Sequence, residues 1–176
     1  MDLARFDYSL PRSAIAQVPS AARDASRLLR IHRRTRRLTD HRFADLPGLL
    51  RAGDCLVVND SRVIPARVLA HDVAGDRSVE LLFVEPAGDG DRWRALVRPG
   101  RRCRPGTELV TAAAPPVRVR VVAVERDGTR VLERVDGTVP DLLDSHGVPP
   151  LPPYIERHAK PDAEDRERYQ TVYART

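Results

Sequence analysis

Two stretches of this 176-residue chain hold side chains of the kinds that do chemistry. The first is Asn59–Asp60–Ser61–Arg62, with Arg67 shortly after. The second runs from Tyr154 and Arg157 to Asp165, Arg168, Tyr169 and Gln170. A carboxylate such as Asp60 or Asp165 can accept a proton. A guanidinium such as Arg62, Arg67, Arg157 or Arg168 pairs with a carboxylate or phosphate through a planar fork of donors. Asn59, Ser61 and Gln170 add donors and acceptors, while Tyr154 and Tyr169 combine an aromatic face with a hydroxyl. Together they offer a base, cations and hydrogen-bonding groups. Each also has a plain structural reading. Asn59–Asp60 can be an Asx turn and Arg62 a surface ion pair. Tyr154 can be a core residue beyond a proline run. Residues 163–174 can be an amphipathic helix that buries Tyr169, Val172 and Tyr173.

The elements that must position these groups are legible from periodicity and turn residues. Asp54–Asn59 is a continuous apolar run of strand length, which predicts a buried strand delivering Asn59–Arg62 at its end. Before it, 26–32 and 37–41 predict a hairpin across the basic turn 33–36. Asp45 then caps a short helix to Leu50, with Pro47 in its first turn and Gly53 beyond its end. Between 63 and 135 six short strands are expected, at 63–70, 78–85, 92–97, 108–110, 117–124 and 129–135. Val117, Val119 and Val121 alternate with Arg118 and Arg120, and Asp127–Gly128 is a hairpin turn. Evenly spaced short strands of this kind make a small antiparallel barrel or sandwich. A short helix from Pro140 stops at Gly147. Residues 148–153 must be extended, because a proline disfavours helix in the residue before it. A last helix is expected over 163–174, with Asp165, Tyr169 and Val172/Tyr173 on one face. The expected organisation is an α/β-type segment, an all-β insert, and a return to mixed structure.

Composition narrows the classes. Hydrophobic residues at 41% and charged residues at 31% describe an ordinary globular chain. No stretch approaches the roughly 20 apolar residues that span a bilayer, and the N-terminus lacks the pattern of a signal peptide. A cytoplasmic protein is expected. Cys55 and Cys103 are too dispersed for a disulfide framework or a metal knuckle, and the five histidines have no metal spacing, so no metal is expected. The net charge is +5, and Lys160 is the only lysine among 30 basic residues. Arginine suits a polyanion such as RNA, although a GC-rich coding sequence gives the same bias. Basic runs fall at Arg30–Arg37 and at Arg98, Arg101, Arg102 and Arg104. Aromatic content of 5% does not indicate a base-stacking platform.

Ordered motifs across nearly the whole chain resemble one family. They are Phe6–Asp7–Tyr8–Ser9–Leu10–Pro11, Ile15–Ala16–Gln17, Ser26–Arg27–Leu28–Leu29 and His41–Arg42–Phe43–Ala44–Asp45–Leu46. They continue through Asn59–Asp60–Ser61–Arg62–Val63–Ile64–Pro65–Ala66–Arg67 and Leu151–Pro152–Pro153–Tyr154–Ile155 to Arg168–Tyr169–Gln170–Thr171–Val172–Tyr173–Ala174. The chain resembles the S-adenosylmethionine:tRNA ribosyltransferase-isomerases of queuosine biosynthesis. The resemblance implies an antiparallel β-barrel domain, 63–147, inserted into an α/β outer domain made from 1–62 and 148–176. It implies S-adenosylmethionine as co-substrate and tRNA as acceptor, with transfer and isomerisation of the ribosyl group onto a 7-aminomethyl-7-deazaguanine at the wobble position. It places substrate contacts at Asn59, Ser61, Arg62, Arg67, Tyr154, Arg157, Arg168, Tyr169 and Gln170. Asp60 and Asp165 are candidate bases, and the catalytic group itself stays open. Two further family motifs, Pro-Thr-Ala-Gly-Leu-His-Phe-like and Thr-Leu-His-Val-Gly-like, are not in this chain. The resemblance therefore implies an N-terminal half and an incomplete outer domain. The alternative function is a non-catalytic RNA-binding or orphan fragment that needs its other half.

Overall fold

The computed structural model describes residues 2–73, 75–88, 91–156 and 163–174. Six strands close into an antiparallel barrel: β3 (Arg67–Asp72), β4 (Gly75–Pro86), β5 (Arg92–Arg98), β6 (Glu108–Thr111), β7 (Arg118–Val124) and β8 (Arg130–Arg134). Their order around the barrel is β3-β4-β5-β8-β7-β6, and β3 pairs with β6 to close it. The alternating residues of each strand fill the interior. Val68, Leu81, Ala95, Leu109, Val119, Val121 and Leu132 are all at most 1% exposed. Register shifts at Phe83/Glu85 and Val121/Ala123 bend β4 and β7, as a small closed sheet requires. Gly128, at φ 88°, makes the β7–β8 turn that Asp127–Gly128 predicts.

Helix α2 (Val139–His146) packs Val139, Leu142 and Leu143 onto this core. Thr138 caps it by accepting from the Asp141 amide at 3.3 Å. His146 is buried and anchors the far end, with Nε2 2.7 Å from the Pro115 carbonyl. After Gly147 the chain is extended, and Val148 exchanges two backbone hydrogen bonds with Arg67, at 2.8 and 3.1 Å. All six expected strands are present, although the first begins at Arg67 and not at Val63, and they form a barrel rather than a sandwich.

The density of contacts divides the chain into two units. One holds 60–152 and 163–174; the other holds 2–59 and 153–156. The second unit contains the expected hairpin, β1 (Arg27–His32) against β2 (Arg37–Arg42), three-residue and four-residue 3-10 turns, and the four-residue helix α1 (Leu46–Leu49). This is not an assembled α/β layer. None of residues 2–59 is buried. Leu29, Ile31, Leu38 and Phe43 are all exposed.

Two expectations are corrected here. Asp54–Asn59 is not a buried strand. It runs outside any sheet, with Leu56, Val57 and Val58 at 59, 87 and 46% exposure. Its apolar run has strand character, but a strand needs a partner edge, and β1–β2 is a separate two-stranded ribbon. The last helix is also shorter than expected. α3 spans Ala163–Arg168, and Gln170 N then bonds the Glu167 carbonyl at 3.3 Å in a tighter turn.

Cys103 and Cys55 occupy opposite environments. Cys103 is 3% exposed within the barrel core, and burial pushes its thiol pKa up. The folded state therefore favours the neutral thiol. That contribution is intact below the unfolded thiol's pKa and is lost as pH rises through the folded value. We expect a thiol reagent to modify exposed Cys55 at least on the order of 100-fold faster than Cys103. Cys103 should react with the unfolding transition. Equal rates in the folded chain would contradict the buried placement.

Candidate functional site

The barrel unit has a cleft of roughly 660 Å³ beside the exit of α2. Three segments distant in sequence line it. Arg62, Val63, Ile64 and Pro65 enter from the irregular segment leading into β3. Asp144 and Pro149 come from α2 and the extended run after it. Arg166, Glu167, Tyr169 and Gln170 come from α3 and its last turn.

The third segment is fastened by side chains to backbone groups that no sheet satisfies. Gln170 pairs with Val63 in both directions: its Nε2 donates to the Val63 carbonyl at 2.7 Å, and its Oε1 accepts from the Val63 amide at 2.8 Å. An amide used in this way imitates one rung of a β-ladder. Tyr169 donates its hydroxyl to the Pro150 carbonyl at 3.1 Å. Arg166 Nη2 donates to the Gly147 carbonyl at 2.8 Å. Proline supplies no amide for a ladder, so the 147–153 run leaves carbonyls that side chains must meet.

The remaining charges determine what the cleft can hold. Arg62 and Asp144 are exposed, and neither side chain has an ion pair or hydrogen bond among the described residues. One cleft thus presents a cation and an anion, next to a tyrosine ring fixed at its hydroxyl. That combination suits a ligand with both charges, such as an α-amino acid group.

The structure brings Arg62, Tyr169 and Gln170 together in this cleft. The other candidates lie elsewhere. Arg67 lies on β3, where its Nη2 donates to the Leu151 carbonyl at 2.8 Å and its Nε sits 3.6 Å from Glu80. Its observed role is to tie the exit run to the barrel. Asp60, Ser61, Asp165 and Arg168 belong to the same unit but do not line the cleft. Asn59 and Tyr154 belong to the other unit. There the Tyr154 ring is exposed, and its carbonyl accepts from Gln17 Nε2 at 3.0 Å. Gln17 Oε1 also accepts from the Glu156 amide at 2.7 Å, so the Ile15–Ala16–Gln17 motif holds the chain after the prolines. Arg157 lies outside the described residues. Asp144, Arg166 and Glu167 were missed by the sequence reading. Arg166 and Glu167 directly precede the Arg168–Ala174 motif, but nothing in the spacing of Asp144 marks it as sharing a cleft with Arg62.

Fold and site define a six-stranded antiparallel barrel domain with a mixed-charge cleft at its exit, lined by residues 62–65, Asp144, Pro149, Arg166, Glu167, Tyr169 and Gln170. The chain belongs to the family of queuosine biosynthesis proteins, whose model matches residues 3–176. It is 47% identical over 176 residues to an S-adenosylmethionine:tRNA ribosyltransferase-isomerase of Heliobacterium modesticaldum, covering 99% of this chain and 50% of that protein. It is 46% identical to the protein of the same name from Anaeromyxobacter dehalogenans, with the same coverage. A crystal structure of S-adenosylmethionine tRNA ribosyltransferase from Thermotoga maritima shares 39% identity over 81% of this chain and 48% of that one, with a TM-score of 0.40. The chain spans about half the length of the curated relatives it matches.

Proposed function

We propose that this chain supplies the first half of an S-adenosylmethionine:tRNA ribosyltransferase-isomerase. The reaction is transfer of the ribosyl group of S-adenosylmethionine to the aminomethyl nitrogen of 7-aminomethyl-7-deazaguanine at the tRNA wobble position. A base takes the C5′ proton made acidic by the sulfonium, the purine leaves as adenine with a proton, and methionine departs. The new appendage closes to the epoxycyclopentanediol of epoxyqueuosine. The observation that carries this reading is that Arg62 and Asp144 line one cleft, neither with an ion pair among the described residues. Arg62 meets the methionine carboxylate and Asp144 its ammonium. Gln170 and Tyr169 act as positioning residues, because their polar atoms are committed to Val63 and Pro150.

The unit formed by 2–59 and 153–156 has no buried residue in 2–59, so its apolar surface needs a cover. In this proposal the cover is the part of the relatives' length that the chain does not span. That part also contributes to the catalytic site, and Asn59, Asp60, Ser61, Tyr154, Arg157, Asp165 and Arg168 act with it.

The test joins the chain to the second half of a relative and measures adenine release from S-adenosylmethionine with precursor tRNA. Arg62→Ala should lower kcat/KM for S-adenosylmethionine by about 10- to 100-fold, the loss of one charge-assisted contact. Unchanged kinetics in a folded variant would remove the cleft from the reaction.

A further inference from the structure

The barrel carries two kinds of arginine. Across β6, β7, β8 and β5 the outward charges alternate in register: Glu108 opposes Arg120, Arg120 opposes Glu133, and Glu133 opposes Arg92. Their ion pairs measure 2.9, 3.4 and 3.3 Å. Arg94 lies between Glu85 and Glu125 at 2.7 and 2.9 Å. Those fields cancel locally and leave little attraction for an outside anion.

The loop from Pro99 to Thr107 is the opposite case. It contains Arg101, Arg102 and Arg104 and no acidic residue. All three are exposed, and none of their side chains has an ion pair or hydrogen bond among the described residues. The loop is nonetheless built firmly. Cys103, in its middle, is buried in the barrel core. Thr107 Oγ1 accepts from the Arg104 amide at 3.1 Å and donates to the Arg102 carbonyl at 3.3 Å. From β8, Arg130 donates to the carbonyls of Gly100 at 2.5 Å, Cys103 at 3.5 Å and Gly128. Gly100 leaves the room for this guanidinium, since a Cβ there would stand 2.6 Å from its Nη2.

We propose that this loop is a phosphate clamp for the backbone of an RNA. Three cations held in a fixed loop bind phosphate without a large ordering cost. The loop holds no aromatic residue, so it positions a backbone and does not read bases. The choice of RNA over another polyanion rests on the tRNA acceptor proposed above.

The test uses the full chain and a fluorescein-labelled, unmodified tRNA transcript, with binding isotherms over a salt series. The triple variant Arg101→Gln, Arg102→Gln, Arg104→Gln should weaken binding about 10- to 100-fold at low salt and reduce the log K against log salt slope by about 2 to 3. A matched loss of three charges from the paired face, Arg92→Gln, Arg94→Gln, Arg120→Gln, should change affinity by less than about threefold. Gly100→Ala, which keeps every charge but displaces Arg130, should weaken binding as well. Equal losses from both triple variants, or no loss from the loop variant, would overturn the clamp. So would a loop variant that loses heparin and keeps tRNA. The readout needs no turnover. RNA held by the loop in a protein that releases no adenine rejects the enzymatic reading alone, whereas turnover with loop-independent RNA affinity rejects the clamp alone.

Discussion

Gly147→Ala should destabilise the barrel unit by about 3 kcal/mol or more, near the upper end for overpacking a filled site. The reason is space and not conformation. Gly147 has φ −70° and ψ 148°, which any residue adopts. A Cβ there, however, would be driven into the Pro65 and Leu143 carbonyl oxygens, both backbone atoms that no rotamer change can move aside. Three features depend on that spot. The Gly147 amide closes α2 on the Leu143 carbonyl at 2.9 Å, its carbonyl receives Arg166, and Val148 next to it bridges to Arg67. Separating α2 from Pro65 therefore disturbs the exit from the barrel and two walls of the cleft together. Trp93, packed against the core, is the natural probe in a denaturant titration. A loss below about 1 kcal/mol would mean that α2 and the 62–65 segment are less tightly apposed than described.

The second large effect concerns residues 2–59. Joining the chain to the second half of a relative should raise hydrogen-exchange protection of the β1–β2 amides by about 1000-fold or more, near 4 kcal/mol. In the chain by itself this hairpin is a two-stranded ribbon with Leu29, Ile31 and Leu38 exposed, and such ribbons are marginal in water. Asp54–Asn59 should gain protection in the same experiment, since its apolar run has the composition of a central strand and only lacks an edge to pair with. Strong protection of 2–59 in the chain alone would refute this. Protection that rises with the chain's own concentration would assign the cover to a second copy instead.

The barrel was legible because its signals are local. Alternating Val117, Val119 and Val121, the Asp127–Gly128 turn and Gly147 as a helix stop each act over a few residues, and each appears in the structure. The two misread elements failed for one shared reason. Asp54–Asn59 has the right residues for a strand and no partner edge. Residues 169–173 have helical spacing, but Tyr169 and Gln170 are held by Pro150 and Val63, where the turn tightens. Both outcomes depend on groups far away along the chain.

The candidate site divides in the same way. The sequence by itself determined which motifs carry polar groups, because residue type fixes what a side chain can donate, accept or neutralise. The resemblance of those motifs to one family, and not their spacing, is what singled out Arg62, Tyr169 and Gln170 among the candidates. Only the tertiary structure decided that these three face one cleft, that Asp144 joins Arg62 there, and that Arg67 is turned to the exit run. The physical reason is barrel closure. Pairing β3 with β6 and seating α2 on the core bring Val63 beside Gln170, a separation of 107 residues that no local pattern encodes.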